Sequence, residues 1–263
     1  MNYPDTKIID MIIETIENEI TKPIGSLTII SPWFYDFPIK LHGRANSFLH
    51  DQYGGKLDFF TLISDIAEMD HIELSIVCTP PDNQISPYDI KNIINTYTIV
   101  DKYLNQNYDA YDKDLIDQKE NADNQARKLK RDAKWYSLLS EISDRVDIHF
   151  NDKLHAKVII TPNSVLLGSA NMSYSGVLVS DELMVRVTNK EDVEKLQLKC
   201  NNFKLQDFAY TYNEYDYVNK VKFMDRNHVF DEFSMEYFQS IINHDWNPDF
   251  LNLINLILKY SKS

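Results

Sequence analysis

The sequence predicts an α/β fold: a β-α-β unit, a long helical insert, a β-hairpin and a helical C-terminal extension. Three observations predict it. Two β-branched runs, SLTIIS (Ser26–Ser31) and IELSIVC (Ile72–Cys78), flank a segment with helical spacing, which is the unit of a parallel sheet. A long, polar stretch with few strand formers runs from Pro87 to Asp144. Short apolar runs then follow in quick succession between Val146 and Val187, each the length of a strand.

In chain order, Ile8, Ile9, Ile12, Ile13, Ile16 and Ile20 recur at three-and-four spacing and predict an opening helix over Asp5 to Ile20. Ser26–Ser31, bounded by Gly25 and Pro32, reads as a buried strand whose end delivers Trp33, Phe34 and Tyr35 to a loop that faces a site. Leu57 to Met69 is helical, and the second strand stops at Thr79-Pro80-Pro81. Two helices joined near Asn107 to Asp112 fill the insert, placed at about 84–144. Strands are expected at Val146–Phe150, Leu154–Thr161, Val165–Met172 and Leu183–Val187, then a helix from Lys190 to Phe208. Residues 1–210 form the main domain and 211–263 the extension, whose aromatics, such as Tyr215, Tyr217, Phe230 and Phe233, fill a core or an interface.

With 263 residues, 43% hydrophobic and 25% charged, the composition is that of a water-soluble protein with a full core. No apolar run is long enough to span a bilayer and no basic-then-apolar leader opens the chain, so a cytoplasmic protein is expected. Cys78 and Cys200 are too isolated for a disulfide framework or a zinc site and read as small buried hydrophobes. A net charge of −13 argues against indiscriminate coating of nucleic acid, though not against a local basic groove.

Leu154 to Asn171 reads LHAKVIITPNSVLLGSAN. Alternate residues of a strand share a face, so His155 projects with Lys157, and Ser169 with Asn171. A three-residue loop, Pro162-Asn163-Ser164, would pair Thr161 with Val165, Lys157 with Ser169 and His155 with Asn171, bringing all four together. A two-residue loop would separate the two pairs, so a convergent site predicts the odd loop or a bulge. These side chains suit phosphoryl chemistry. A neutral imidazole can attack phosphorus and form a phosphohistidine. Lys157, the amide of Asn171 and Ser169 can donate to the non-bridging oxygens. Glu182, eleven residues beyond Asn171, can accept a proton from the other ring nitrogen and fix the tautomer. The adjacent Asp181 competes for that role. The scheme requires neither metal nor cofactor.

This stretch resembles the phospholipase D superfamily, whose motif is H-x-K-x4-D-x6-G-S-x-N. The resemblance implies a mixed β-sheet flanked by helices, His155 as nucleophile or acid, Lys157 and Asn171 as phosphate ligands, and Glu182 as the group orienting the histidine. Two departures stand out: the family's Asp falls at Pro162, and the gap from Lys157 to Gly168 is one residue short. Weaker support of the turn is expected from the first. Family enzymes face two motifs against each other, whereas none of His42, His50, His71, His149, His228 and His244 has a lysine two residues on. An isologous homodimer with the active site on its two-fold axis is therefore expected.

The basic run Arg127, Lys128, Lys130, Arg131 and Lys134, followed by Trp135 and Tyr136, reads as a solvated helix face or as a nucleic-acid backbone clamp with stacking aromatics. Lys40 and Arg44 are weaker candidates, and Trp33, Phe34 and Tyr35 read as core before base-stacking groups. The expected function is a homodimeric, metal-independent nuclease acting on DNA or RNA, by analogy in a restriction or phage-defence setting. A catalytically silent scaffold within a larger complex and a lipid phosphodiesterase are the alternatives.

Overall fold

α1 (Ile8–Ile20) forms where the isoleucine spacing requires it, burying Ile9, Ile12, Ile13, Ile16 and Ile20. Each such side chain contributes roughly 1.5–3 kcal/mol relative to exposure. The computed structural model describes residues 7–41, 47–80, 134–135, 138–139, 141–179, 181–206 and 209–213, with isolated residues at 114, 117–118, 120–121 and 124. The chain divides into two compact units, Met1–Pro80 with Trp135–Tyr215, and Pro81–Lys134 with Asp216–Ser263. Every element with described bounds belongs to the first. Most of the helical stretch expected from Pro87 to Asp144 and nearly all of the expected C-terminal extension, with its named aromatics, lie outside the described residues; those described at 114, 117–118, 120–121, 124, 134–135, 138–139 and 141–142 are helical.

β1 (Gly25–Ile30) is followed by β2 (Pro38–Lys40), α2 (Phe48–Tyr53), β3 (Lys56–Asp58), α3 (Phe59–Ala67) and β4 (Ile72–Cys78). After the insert come β5 (Asp147–Asn151), β6 (Val158–Thr161), β7 (Ser164–Gly168), β8 (Met184–Val187), α4 (Lys190–Asn201) and β9 (Ala209–Thr211). Seven of these strands form one sheet in the order β8-β7-β6-β1-β4-β5-β9. β1 and β4 are parallel, as are β4 and β5, while the other pairs are antiparallel. The result is the mixed sheet flanked by helices that the sequence led us to expect.

Strand alternation sorts the apolar residues into two layers. Leu27, Ile29, Leu74, Ile76, Ile159 and Leu166 join the core that includes α1 and α3. Ile30, Val77, Val158, Ile160 and Val165 turn the other way, to Val193 and Cys200 of α4. β1 and β4 are buried on both faces, which is why they read as unbroken apolar runs. Both cysteines are buried, as expected.

Several boundaries differ from expectation. β2, α2, β3 and β9 carry too few residues to show a period. The strand expected from Leu154 begins only at Val158, because β1, its neighbour, ends at the Ile30–Val158 pair. The strand expected through Met172 ends at Gly168 for the same reason: its last partner in β8 is Met184. The helix expected through Phe208 ends at Asn201 and tightens into a 3₁₀ turn at Asn202–Lys204.

Candidate active site

The hairpin that carries the motif closes with two loop residues, not three. Thr161 pairs with Ser164, Ile160 with Val165, Ile159 with Leu166 and Val158 with Leu167. Thr161 Oγ1 fixes this register. It accepts from Ser164 N at 3.1 Å, donates to Ser164 O at 3.2 Å, and lies 2.9 Å from Ser164 Oγ. Lys157 therefore stands opposite Gly168, whose N–H donates to Lys157 O at 3.1 Å, and the expected pairs Lys157–Ser169 and His155–Asn171 do not form.

His155 and Lys157 enter β6 on irregular backbone. Lys157 is buried and His155 exposed. Lys157 Nζ donates to the His155 carbonyl oxygen at 2.7 Å and lies 3.2 Å from His155 Nδ1. Burial pulls the Lys157 ammonium below the usual lysine range, and the charge of Glu182 opposes that shift. Glu182 is thus near enough to act on Lys157, and it is half-buried while Asp181 is exposed. Among the described residues no hydrogen bond joins Glu182 to His155.

Ser169 continues the β7–β8 pairing by one residue: its N–H donates to Leu183 O at 2.9 Å, and its Oγ accepts from Leu183 N at 3.0 Å. The hydroxyl keeps its own proton for donation. Gly168 permits the close approach, because a Cβ there would overlap the Leu183 carbonyl oxygen and sit 2.8 Å from Met184 Cα. Asn171 follows on a loop that crosses to the end of β1, where Phe34 bridges to Met172. Its Oδ1 is buried and accepts no hydrogen bond from the described residues.

The structure thus brings His155 and Lys157 together, puts Glu182 within electrostatic reach of Lys157, and anchors Ser169 to Leu183, the residue after Glu182. Asn171 reaches the neighbouring edge by a route other than cross-strand pairing. Of the basic run, Lys134 is exposed, and Arg127, Lys128, Lys130 and Arg131 lie outside the described residues, as does Arg44. Trp135 is not available for stacking on a ligand, since it is buried in the core against Phe34, ring centroids 4.7 Å apart and nearly parallel. Phe34 is core and Trp33 is 55% exposed. Two residues that support the site, Ser31 and Gly176, have no sequence signal; Ser31 bonds to Met172 N across 141 residues.

Among known families, the model described as "Cardiolipin synthase, PLD-like domain" matches residues 91–203, which include the whole motif. No curated protein sequence matches the chain. Among solved structures, the crystal structure of phosphatidylserine synthase from Haemophilus influenzae Rd KW20 aligns over 83% of this chain at 12% identity, with a TM-score of 0.38. The chain spans 43% of that protein's length. Over the span of the family model, which carries the His-x-Lys and Gly-Ser-x-Asn hairpin of the mixed sheet, the chain is similar to phospholipase D-like domains.

Proposed function

We propose that this protein is a metal-independent phosphodiesterase, a homodimeric nuclease that cleaves DNA or RNA through a phosphohistidine on His155. The observation that carries the reading is the exposed imidazole of His155 beside the buried ammonium of Lys157, which donates to the His155 carbonyl oxygen and lies 3.2 Å from its Nδ1. In the free site Lys157 donates toward Nδ1, which leaves the proton of the neutral ring on Nε2. Attack through Nε2 needs the other tautomer. An incoming phosphate supplies the switch: its non-bridging oxygens draw Nζ off the ring, the exposed imidazole gives its Nε2 proton to solvent water and takes one from water on Nδ1, and the charge of Glu182 favours the Nδ1-protonated form. Lys157 and Asn171 then donate to the oxygens whose charge builds in the transition state. The leaving oxygen takes its proton from His155 of a second copy across the two-fold axis, since one chain has one such histidine.

A lipid phosphodiester is the second reading. The description of the matched family favours it, and so do the exposed apolar side chains of Tyr174, Leu178, Val179 and Leu183 close to the motif. Among the described residues no helix is long and apolar enough to cross a membrane.

Purified protein incubated in excess EDTA with a chromogenic phosphodiester, single- and double-stranded DNA and RNA, and phospholipid vesicles tests both readings. Cleavage that survives chelation and falls by roughly three orders of magnitude in His155→Ala is expected. Vesicle hydrolysis without nucleic-acid cleavage selects the lipid reading. A folded protein that hydrolyses no diester refutes both, and a monomer that still cleaves refutes the dimer.

A further inference from the structure

Asn171 is not fixed by its own side-chain carbonyl, because Oδ1 is buried without a donor among the described residues. Buried polar atoms are normally paired, so the backbone on either side has to hold this residue. On one side, Ser31 is fully buried one residue past the Ile30–Val158 pair, at the end of the sheet where Lys157 enters β6. Its Oγ accepts from Met172 N at 3.1 Å and donates to Trp33 O at 2.9 Å. Tyr35 N completes the grip by donating to Met172 O at 2.9 Å.

On the other side, the chain doubles back at once. Ser173 N donates to Asn171 O at 2.8 Å, and Ser173 Oγ accepts from Gly176 N at 3.2 Å. Gly176 lies in a π-helical turn, Ser175–Val179, that closes directly on Asn171. A Cβ at Gly176 would stand 2.6 Å from Asn171 O and 2.8 Å from Asn171 N. Both are backbone atoms, which cannot swing aside as a side chain would, so any larger residue at this position displaces Asn171 itself.

We propose that Ser31 and Gly176 are positioning residues for Asn171, one clamping it to the end of β1 and the other letting the following turn close against its peptide. The functional part rests on the reading of Asn171 as a phosphate-binding group. The clamp explains how an amide can be aimed at a phosphate while its carbonyl meets no donor among the described residues: the geometry is imposed by the main chain.

The test uses the full chain labelled on asparagine side-chain nitrogen, with the Asn171 amide assigned as the signal lost in Asn171→Ala. In the wild type this amide should be a single, rigid resonance. In Ser31→Ala and in Gly176→Ala it should shift and become mobile while the other asparagine signals stay in place, which separates the effect from unfolding. Tungstate, as a phosphate mimic, should bind the wild type and lose affinity by roughly tenfold or more in each variant. In an Asn171→Ala background neither change should cost anything further. An unaltered Asn171 amide in both variants overturns the clamp, as does an affinity loss that is just as large when Asn171 is already alanine. If the wild type binds no tungstate, the phosphate reading fails by itself, and the amide spectra still decide the clamp.

Discussion

Replacing Gly168 with alanine tests the register on which the site depends. The added methyl would overlap the carbonyl oxygen of Leu183 and stand 2.8 Å from Met184 Cα and 2.9 Å from Leu183 C. Relaxed carbon contacts lie at about 3.5–4.0 Å, so β8 has to move outward by on the order of 1 Å. It is not free to do so, because Arg186 ties it to α1 through Glu14, Thr15 and Met11 O, each at 3.1 Å. Overpacking of this kind costs about 1–3 kcal/mol. Loss of the two Ser169–Leu183 hydrogen bonds adds about 0.5–1.5 kcal/mol each. A total of about 2–6 kcal/mol corresponds to a fall in Tm on the order of 10 °C for a unit of this size. Thermal unfolding by circular dichroism reads it directly. Gly54→Ala is the internal control: there φ is +71° and ψ −130° and a Cβ meets nothing within 4 Å, so only the backbone cost of about 1–3 kcal/mol applies. A Gly168→Ala protein that melts within about 2 °C of wild type would mean that β8 does not lie across Gly168, and the placement of Glu182 beside Lys157 would fall with it.

Three further outcomes follow from the charges and thiols. Because burial depresses the Lys157 pKa below 10.5, the unfolded chain binds more protons just below that value and stability rises with pH there. Lys157→Met should accordingly raise Tm at neutral pH, by a margin that closes as pH climbs through the depressed value; a margin constant with pH would refute the cause. Burial works to raise the Asp147 carboxyl, but the hydrogen bond and charge of Lys204, with His149, outweigh it and hold the group below 3.8. Its contribution is present at neutral pH and lost as pH falls through the depressed value, so Lys204→Met should shrink the acid-side loss of stability, measured by denaturant midpoints between pH 5 and 2. Burial also pushes both thiols upward, so Cys78 and Cys200 should resist a thiol reagent in native buffer and react fully in denaturant.

What the sequence made legible was whatever repeats within a short window. The isoleucine spacing of α1, the two β-branched runs and the chemistry of LHAKVIITPNSVLLGSAN all lie within about twenty residues, and the structure uses each of them. The register of the hairpin was not legible, and the reason is physical. Val158, Ile159 and Ile160 face Val165, Leu166 and Leu167, and both faces of this part of the sheet are buried. An all-apolar pair of strands accepts either parity, so hydrophobic pattern does not select the loop length. Selection falls to one polar pair, Thr161 and Ser164, whose mutual hydrogen bonds are visible only in three dimensions. The supports of Asn171 were hidden for a different reason: Ser31 and Met172 are far apart in the chain, and no local spacing links them.

The same register decides how the replacement of the family's aspartate bears on the site. Pro162 occupies the first loop position, at the far end of the hairpin from His155 and Lys157. At about 3.3 Å per residue, the five steps from Lys157 put it roughly 16 Å from that residue. Nor does the turn show the weaker support that the loss of a carboxylate leads one to expect. Thr161 and Ser164 close it from within, and Gln197 on α4 donates to Thr161 O at 2.9 Å and reaches Pro162 O at 3.5 Å. Proline in this position gives up one N–H and stiffens the loop, while the polar closure passes to its neighbours. The departure therefore weighs on how the hairpin is tied down to α4 and not on His155 and Lys157. Gly168, Leu183 and Met184, where β7 and β8 approach closely, are the positions at which a change in the motif would reach Lys157 and Glu182.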